Sequence, residues 1–354
     1  MSRDRDSDQI VKCLVWDLDD TLWQGTLLEG DDVRLRDGVL HVLEELDERG
    51  IVHSIVSRNE PGLVTERLCS LGVAEYFVAP QYGWGAKSSA VRRVAEELGL
   101  GLDAIAFVDD QPFELDEVAA DLPQVRCYPA MDIPSLPHRD EFRPVIISDD
   151  GRRRRLLYRS ELERRRAEHE WDGVPVEFMR SLAMVFRIRP ASDSDLARAE
   201  ELTRRTNQLN STGVTYDREE LRRMIASPAH TVLTASLEDR YGPYGVIGLA
   251  VVERRPDAWW LRLLLMSCRV ISRGVGGILL AHVVREAEAA AMPLRADLVH
   301  TGRNRQMHVT YRLTGFQEIS QAGPICVLER RSRGPIPTPT WITVVTCERN
   351  SNRS

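Results

Sequence analysis

The 354-residue chain is long enough for two domains of ordinary size, each with its own core. Its 43% hydrophobic and 29% charged content is that of a soluble globular protein, and no apolar run approaches a membrane span. A formal net charge of −7 argues against general nucleic-acid binding.

The first ten residues, "MSRDRDSDQI", are charged, and no apolar secretory segment is expected from them. Cys13, Cys69, Cys127, Cys268, Cys326 and Cys347 show no CxxC spacing. That usage predicts reduced thiols in the cytoplasm, with neither a zinc site nor a disulfide framework. From 11 to about 130, short β-rich runs ("VKCLVWDL", "IVHSIVS", "YFVAP", "AIAFVDD", "VRCYP") alternate with helical patterns ("GVLHVLEELDERG", "LVTERLCSLG", "SSAVRRVAEELGL", "FELDEVAADL"). The alternation predicts a parallel sheet with helices on both faces, whose ligands bind beyond the carboxyl ends of the strands.

Those ends carry the chemistry. Asp17 and Asp19 lie two apart as the first strand stops, so both can face one site, and Thr21 follows. Ser57 ends the next strand, and Arg58 and Asn59 after it offer donors to phosphate oxygens and to the rest of a substrate. Lys87 is one of only two lysines, beside Lys12, and opens a helix where its ammonium can neutralise a carboxylate and a phosphate oxygen. Asp109 and Asp110 supply hard oxygens of the kind Mg²⁺ takes. The expected metal set is Asp17, Asp19 and Asp109, with Asp110 behind them and Asp20 facing solvent. Phosphate-ester hydrolysis must bring an anion onto an anion, so a metal ion and a lysine have to cancel the repulsion. Asp17 is the expected nucleophile and Asp19 the proton donor to the departing oxygen. The order DxDxT, Ser, Lys, DD on successive βα units resembles the haloacid-dehalogenase (HAD) superfamily over roughly 10–130. No long insertion follows the first motif, so no large cap is expected.

The expected organisation is a HAD-like domain over 1–145, an Arg-rich helical linker over 146–182, a second α/β domain over 183–330 and a Pro-rich tail over 331–354. The linker's stretch 152–166 holds eight Arg against two Glu. It reads equally as a docking surface for an acidic partner or as a solvated helix. In the second domain a strand "VFRIR" leads to a helix capped by Ser192 or Asp193, and "HTVLTASLED", "GVIGLAVVER" and "AWWLRLLLMSC" follow as strands. "SRGVGGILLAHVV" then turns into a helix, with Gly274, Gly276 and Gly277 able to bring backbone N–H groups to a phosphate. With "NRQMHVTYRLTGF" it resembles the GNAT-type N-acetyltransferases over about 183–330. That likeness implies a pantetheine site using Arg269, Arg273, Gly274, Gly276 and Tyr311, although Ile278 stands where the loop's last small residue is expected. It also implies that Cys268, ending the strand before the loop, sits near the thioester sulfur. Arg269 and the helix N-terminus would raise its thiolate fraction. The other five cysteines read as inert. His300 ends the neighbouring strand as a base or a structural residue, and "TNQLNSTG" (206–213), with Asn207 and Asn210, either lines an acyl site or caps a helix.

A HAD-like half joined to a GNAT-like half with "LLLMSCRV" closely resembles the FkbH-like proteins of polyketide biosynthesis. "KCLVWDLDDTLWQG", "SIVSRNE", "PQYGWGAKS", "AFVDDQPFE", "TNQLNSTG" and "RYGPYGVIGLAVVE" carry the likeness along nearly the whole chain. It implies a Mg²⁺-dependent glyceryltransferase and phosphatase acting on D-1,3-bisphosphoglycerate. The glyceryl group would be held on Cys268 and passed to the phosphopantetheine of an acyl carrier protein. The competing expectations are a HAD phosphatase with an interaction module, a GNAT-type acyltransferase with a scaffold HAD half, and a non-enzymatic carrier adaptor.

Overall fold

The computed structural model describes residues 10–347 except 207–208, 268–269, 271–272, 303 and 333. The chain is α/β and divides into two compact units, 1–166 and 167–354.

In the first unit, β1 (Cys13–Trp16) is buried at every position, as a strand covered on both faces must be. A small antiparallel pair follows, β2 (Trp23–Gln24) with β3 (Arg34–Leu35), then α1 (Val39–Glu48) and β4 (Val52–Ser57). Next come α2 (Pro61–Ser70), β5 (Gln81–Tyr82), α3 (Lys87–Leu98), β6 (Ile105–Asp109), α4 (Pro112–Asp121) and β7 (Arg126–Pro129). The five principal strands form one parallel sheet in the order β5-β4-β1-β6-β7. This is the expected HAD-like, Rossmannoid arrangement, and only β2, β3 and one 3-10 turn separate β1 from α1, so there is no large cap. Leu14, Trp16, Ile55 and Val108 pack on one side of the sheet with Leu43 and Val64, while Val15, Val52, Val56 and Phe107 pack on the other with Val91 and Val118.

The expected strand "YFVAP" is displaced. Ala79 takes φ of 50° and Pro80 has no amide to give a ladder, so pairing resumes only at Gln81. Gly50, which joins α1 to β4, is there for two reasons. Its φ is 73°, and a Cβ would come within 2.4 Å of the Gly151 carbonyl oxygen. Through that close approach α5 (Asp149–Arg152) and α6 (Arg154–His169) begin against the α1–β4 turn, where Arg154 donates to the Gly50 carbonyl at 2.8 Å. Arg155 bonds Asp47 and the Glu75 carbonyl, Arg165 bonds the Glu97 carbonyl, and Tyr158 and Leu162 pack on the core. One face of the arginine stretch is thus spent within the first unit, while Arg152, Arg153, Arg159 and Arg166 are exposed.

His53 is a buried histidine with both nitrogens in use. Nδ1 accepts from the Trp16 indole at 3.0 Å, and Nε2 lies 3.1 Å from the Leu43 carbonyl, to which the neutral ring donates. Burial pushes its pKa down from 6.5 to about 3. The unfolded chain therefore binds a proton that the folded one refuses. The stabilisation is complete above pH ~6.5 and is lost as pH falls toward 3, by ~1.4 kcal/mol per unit. Acidifying from pH 7 to 5 is expected to cost about 2 kcal/mol through this residue. Urea melts of wild type and His53→Gln check it: the variant is less stable at pH 7 but shows a flatter pH dependence. Parallel curves would exclude the ring as the titrating group.

In the second unit, α7 (Pro175–Ser181) precedes β8 (Met184–Pro190), and Ser192 and Asp195 cap each other reciprocally before α8 (Leu196–Arg205). The chain continues through α9 (Arg218–Ala226), β9 (His230–Asp239), β10 (Gly242–Arg254), β11 (Trp259–Met266), α10 (Ile278–Ala289), β12 (Leu294–Val299) and α11 (Arg305–Leu313). It ends with β13 (Phe316–Ala322), β14 (Ile325–Arg330) and β15 (Ile342–Thr346). The eight strands form a mixed sheet ordered β13-β14-β12-β11-β10-β9-β8-β15, the GNAT-like half. The Pro-rich tail joins it, because β15 runs parallel to β8 at the sheet edge. Parallel β11 and β12 pair only from Trp259–Leu261 to Leu294–Ala296. Beyond that, residues 209–211 lie between them: the Ser211 amide donates to Leu264, Met266 to the Leu209 carbonyl, and Val299 to the Ser211 carbonyl. Among the described residues no helix is long and apolar enough to cross a membrane.

Candidate active site

The carboxyl ends of β1, β4 and β6, with the start of α3, bring the expected phosphate-site residues together. The Lys87 ammonium lies 2.9 Å from Asp17 Oδ1 and 2.5 Å from Asp109 Oδ2. All three side chains are buried. Burial pushes the Asp17 carboxyl up, to about 7, against the pull of Lys87, and Asp109 adds its own repulsion. Asp109 is raised by the same burial. Burial draws Lys87 down, but its two carboxylate neighbours outweigh that and hold it above the usual lysine range. The ammonium is therefore charged, and it stands between two groups that burial would otherwise protonate.

The carboxylates whose oxygens lie within 4.8 Å of one another are Asp17, Asp109 and Asp110. Asp19, expected in that set, is turned elsewhere. Its Oδ1 accepts from the Trp23 indole (2.9 Å) and the Leu27 amide (3.0 Å), and its Oδ2 accepts from Asn59 Nδ2 at 2.8 Å. The first turn after β1 reverses the chain, which carries this side chain toward β2. Asp110, expected behind the metal, is half-exposed in the cluster and accepts from Thr21 Oγ1 at 3.3 Å. Three clustered carboxylates beside one ammonium suit a small hard cation, which would relieve a repulsion that Lys87 only partly cancels. Asp17, Asp109 and Asp110 are thus the residues that would hold Mg²⁺.

Ser57 is buried and accepts from the Asn59 backbone and from its side chain, at 3.2 and 3.1 Å. Asn59 Nδ2 therefore ties the end of β4 to Asp19. Arg58 is half-exposed and paired with Glu114. Neither Glu114 nor the bracing of Asp19 by Trp23 was anticipated. The signals were a glutamate in the first turn of a proline-led helix and an indole four residues beyond the aspartate.

In the second unit Cys268, Arg269 and Asn207 lie outside the described residues. Among the described residues a cavity of about 190 Å³ opens between the end of β11, the glycine loop and the first turns of α11, lined by Leu209, Met266, Val270, Gly274, Gly276 and Met307 among others. Gly274 has φ of 74°. Arg273 does not point a free charge toward it: its side chain is buried and paired with Glu168 at 3.0 Å. Tyr311 is sealed in the core, stacked edge-on against Phe316, and does not line the cavity. Burial pushes its phenol up.

Asn210 is also fully buried, and its amide shapes its own loop. Oδ1 accepts from the Thr212 and Gly213 amides, and Nδ2 donates to the Thr206 carbonyl. Asn304, missed in sequence, fixes the same loop by donating to the carbonyls of Asn210 and Val299. His300 is exposed beyond β12, its ring 5.1 Å from that of His308.

No protein-family model matches the sequence. No curated protein matches it either. Among solved structures it is similar to the N-terminal, phosphatase-domain part of a Bacteroides fragilis protein complexed with Mg. Identity there is 24% over 37% of this chain and 40% of that one, with a TM-score of 0.32. The chain therefore spans less than half of that structure. It is also similar to PaiA N-acetyltransferase of Thermoplasma acidophilum in complex with coenzyme A, at 15% identity over 42% of this chain and 99% of that one, TM-score 0.33. The ribosomal-protein-S18-alanine N-acetyltransferase of Escherichia coli matches at 14% identity over 42% and 96%, TM-score 0.33.

Proposed function

We propose that the chain is a Mg²⁺-dependent phosphatase and acyltransferase that converts D-1,3-bisphosphoglycerate into a glyceryl thioester on an acyl carrier protein, serving polyketide biosynthesis. The observation that carries it is Lys87 seated between Asp17 and Asp109, with Thr21, Ser57 and Asp110 around them at the ends of adjacent parallel strands.

In this reading a bound Mg²⁺ supplies charge neutralisation beside the transferring phosphoryl group. Asp17 Oδ1 is engaged by Lys87, and the other oxygen attacks phosphorus. The ester P–O bond breaks, and the departing alkoxide takes its proton from Asp19, which Trp23, Leu27 and Asn59 hold in one orientation. Water then releases phosphate from Asp17, with Asp19 taking the proton back. Lys87 and Ser57 stabilise the phosphoryl oxygens.

In the second unit the Cys268 thiolate attacks the acyl-phosphate carbon, so a C–S bond forms as the C–O bond to phosphate breaks. The carrier's pantetheine thiol then takes the glyceryl group and frees the cysteine. The cavity beside the glycine loop supports a pantetheine arm there, and the exposed Arg152, Arg153, Arg159 and Arg166 suit an acidic carrier.

Incubating the full-length protein with D-1,3-bisphosphoglycerate and Mg²⁺ is expected to add the mass of one glyceryl group. Cys268→Ala should lose that adduct. Cys127→Ala should keep it, because burial pushes the Cys127 thiol up to about 11 and leaves it unreactive. An adduct that survives Cys268→Ala would remove the thiol assignment.

A further inference from the structure

Glu114 has no part in the chemistry above, yet it is 2% exposed, and a buried carboxylate needs a reason. Its Oε1 lies 2.7 Å from Arg58 Nη1, while its Oε2 is buried without a hydrogen-bond partner. The Arg58 side chain is 39% exposed. A pair of this kind contributes little to stability. Desolvating the carboxylate is costly, a half-exposed guanidinium returns only part of that, and one oxygen is left unpaired.

Position gives the better account. Arg58 directly follows β4 and Glu114 lies in the first turn of α4, just after β6. In the sheet β4 and β6 are the two neighbours of β1. The ion pair therefore bridges the carboxyl end of β1, where Asp17 stands. Lys87, by contrast, is buried between Asp17 and Asp109. A guanidinium has five donors in a rigid fork, so Arg58 can bond Glu114 and still present a second edge.

We propose that Arg58 recognises a second anionic group on a phosphorylated substrate, and that Glu114 is the positioning residue that holds the guanidinium over the site. The inference rests on the phosphate-site reading and adds the pair of side chains that reads the second anion.

Calorimetric binding to the full-length Asp17→Asn chain, which cannot turn its ligand over by the proposed route, tests it with two probes. D-3-phosphoglycerate and glycerol 3-phosphate share the phosphate and the three-carbon frame and differ in the carboxylate. D-3-phosphoglycerate is expected to bind about 10- to 100-fold tighter, the scale of charge-assisted hydrogen bonds. Adding Arg58→Ala should collapse that ratio to near unity. Glu114→Gln should shrink the ratio, which a merely structural glutamate would not do. Equal affinities for the two probes, or a preference that survives Arg58→Ala, would overturn the proposal. If wild type hydrolyses neither compound while the Arg58-dependent preference persists, the phosphatase reading fails and this assignment stands.

Discussion

Lys87→Met is expected to lower the stability of the metal-free protein by about 3–5 kcal/mol, the cost of stripping one partner from a buried ion pair. The ammonium is the positive charge seen within hydrogen-bond reach of both Asp17 and Asp109, and both carboxylates are buried. Without it, two like charges face each other in low dielectric, and one must take up a proton or the strand ends must separate. Mg²⁺ should restore part of the loss, because a divalent cation on Asp17, Asp109 and Asp110 neutralises the same groups. The decisive measurement is therefore the gain in melting temperature on adding Mg²⁺, which should be larger in Lys87→Met than in wild type. A variant as stable as wild type in chelator would show that the lysine is dispensable to this charge balance.

Asp17→Asn should behave in the opposite way. It is expected to reduce phosphate release by three orders of magnitude or more, the scale on which removal of a nucleophile is felt, since a carboxamide cannot form the aspartyl-phosphate. Stability should hold or rise slightly in chelator, because the change removes one of two mutually repelling buried carboxylates that burial already disfavours. Phosphate release and thermal melts on the same preparations check both halves of the expectation. Activity within tenfold of wild type would place the nucleophile elsewhere. Loss of activity together with loss of fold would mean that Asp17 is structural.

The legible and illegible parts of the candidate site divide along a physical line. Asp17, Lys87 and Asp109 could be read because a parallel sheet delivers the carboxyl ends of its strands to one edge, so a strand pattern and a polar residue at its end are enough to place a side chain. Asp19 could not be placed that way. It lies past the strand, where the path of the turn decides, and three donors from Trp23, Leu27 and Asn59 draw it out of the carboxylate cluster that Asp110 enters instead. Asn210 stayed open between two roles in sequence for a related reason. An amide can serve a substrate or its own backbone equally well, and only the folded loop shows that its oxygen accepts from Thr212 and Gly213. Arg273 illustrates the limit for charges: a cation beside a glycine loop suggests a phosphate, but its partner Glu168 is 105 residues away in the chain.

Local order thus determined the two α/β halves, the parallel sheet with its carboxylate-bearing strand ends, and the chemistry those ends can perform. Apolar periodicity and strand-terminal polar residues are properties of neighbours in sequence. Tertiary structure alone decided which carboxylates cluster, that Glu114 pairs with Arg58, that residues 209–211 fill the gap between β11 and β12, and that the Pro-rich tail returns as a strand beside β8. Each of these depends on a pairing between segments distant in the chain, and such pairings are chosen by packing and desolvation of the whole unit rather than by any residue's own preference.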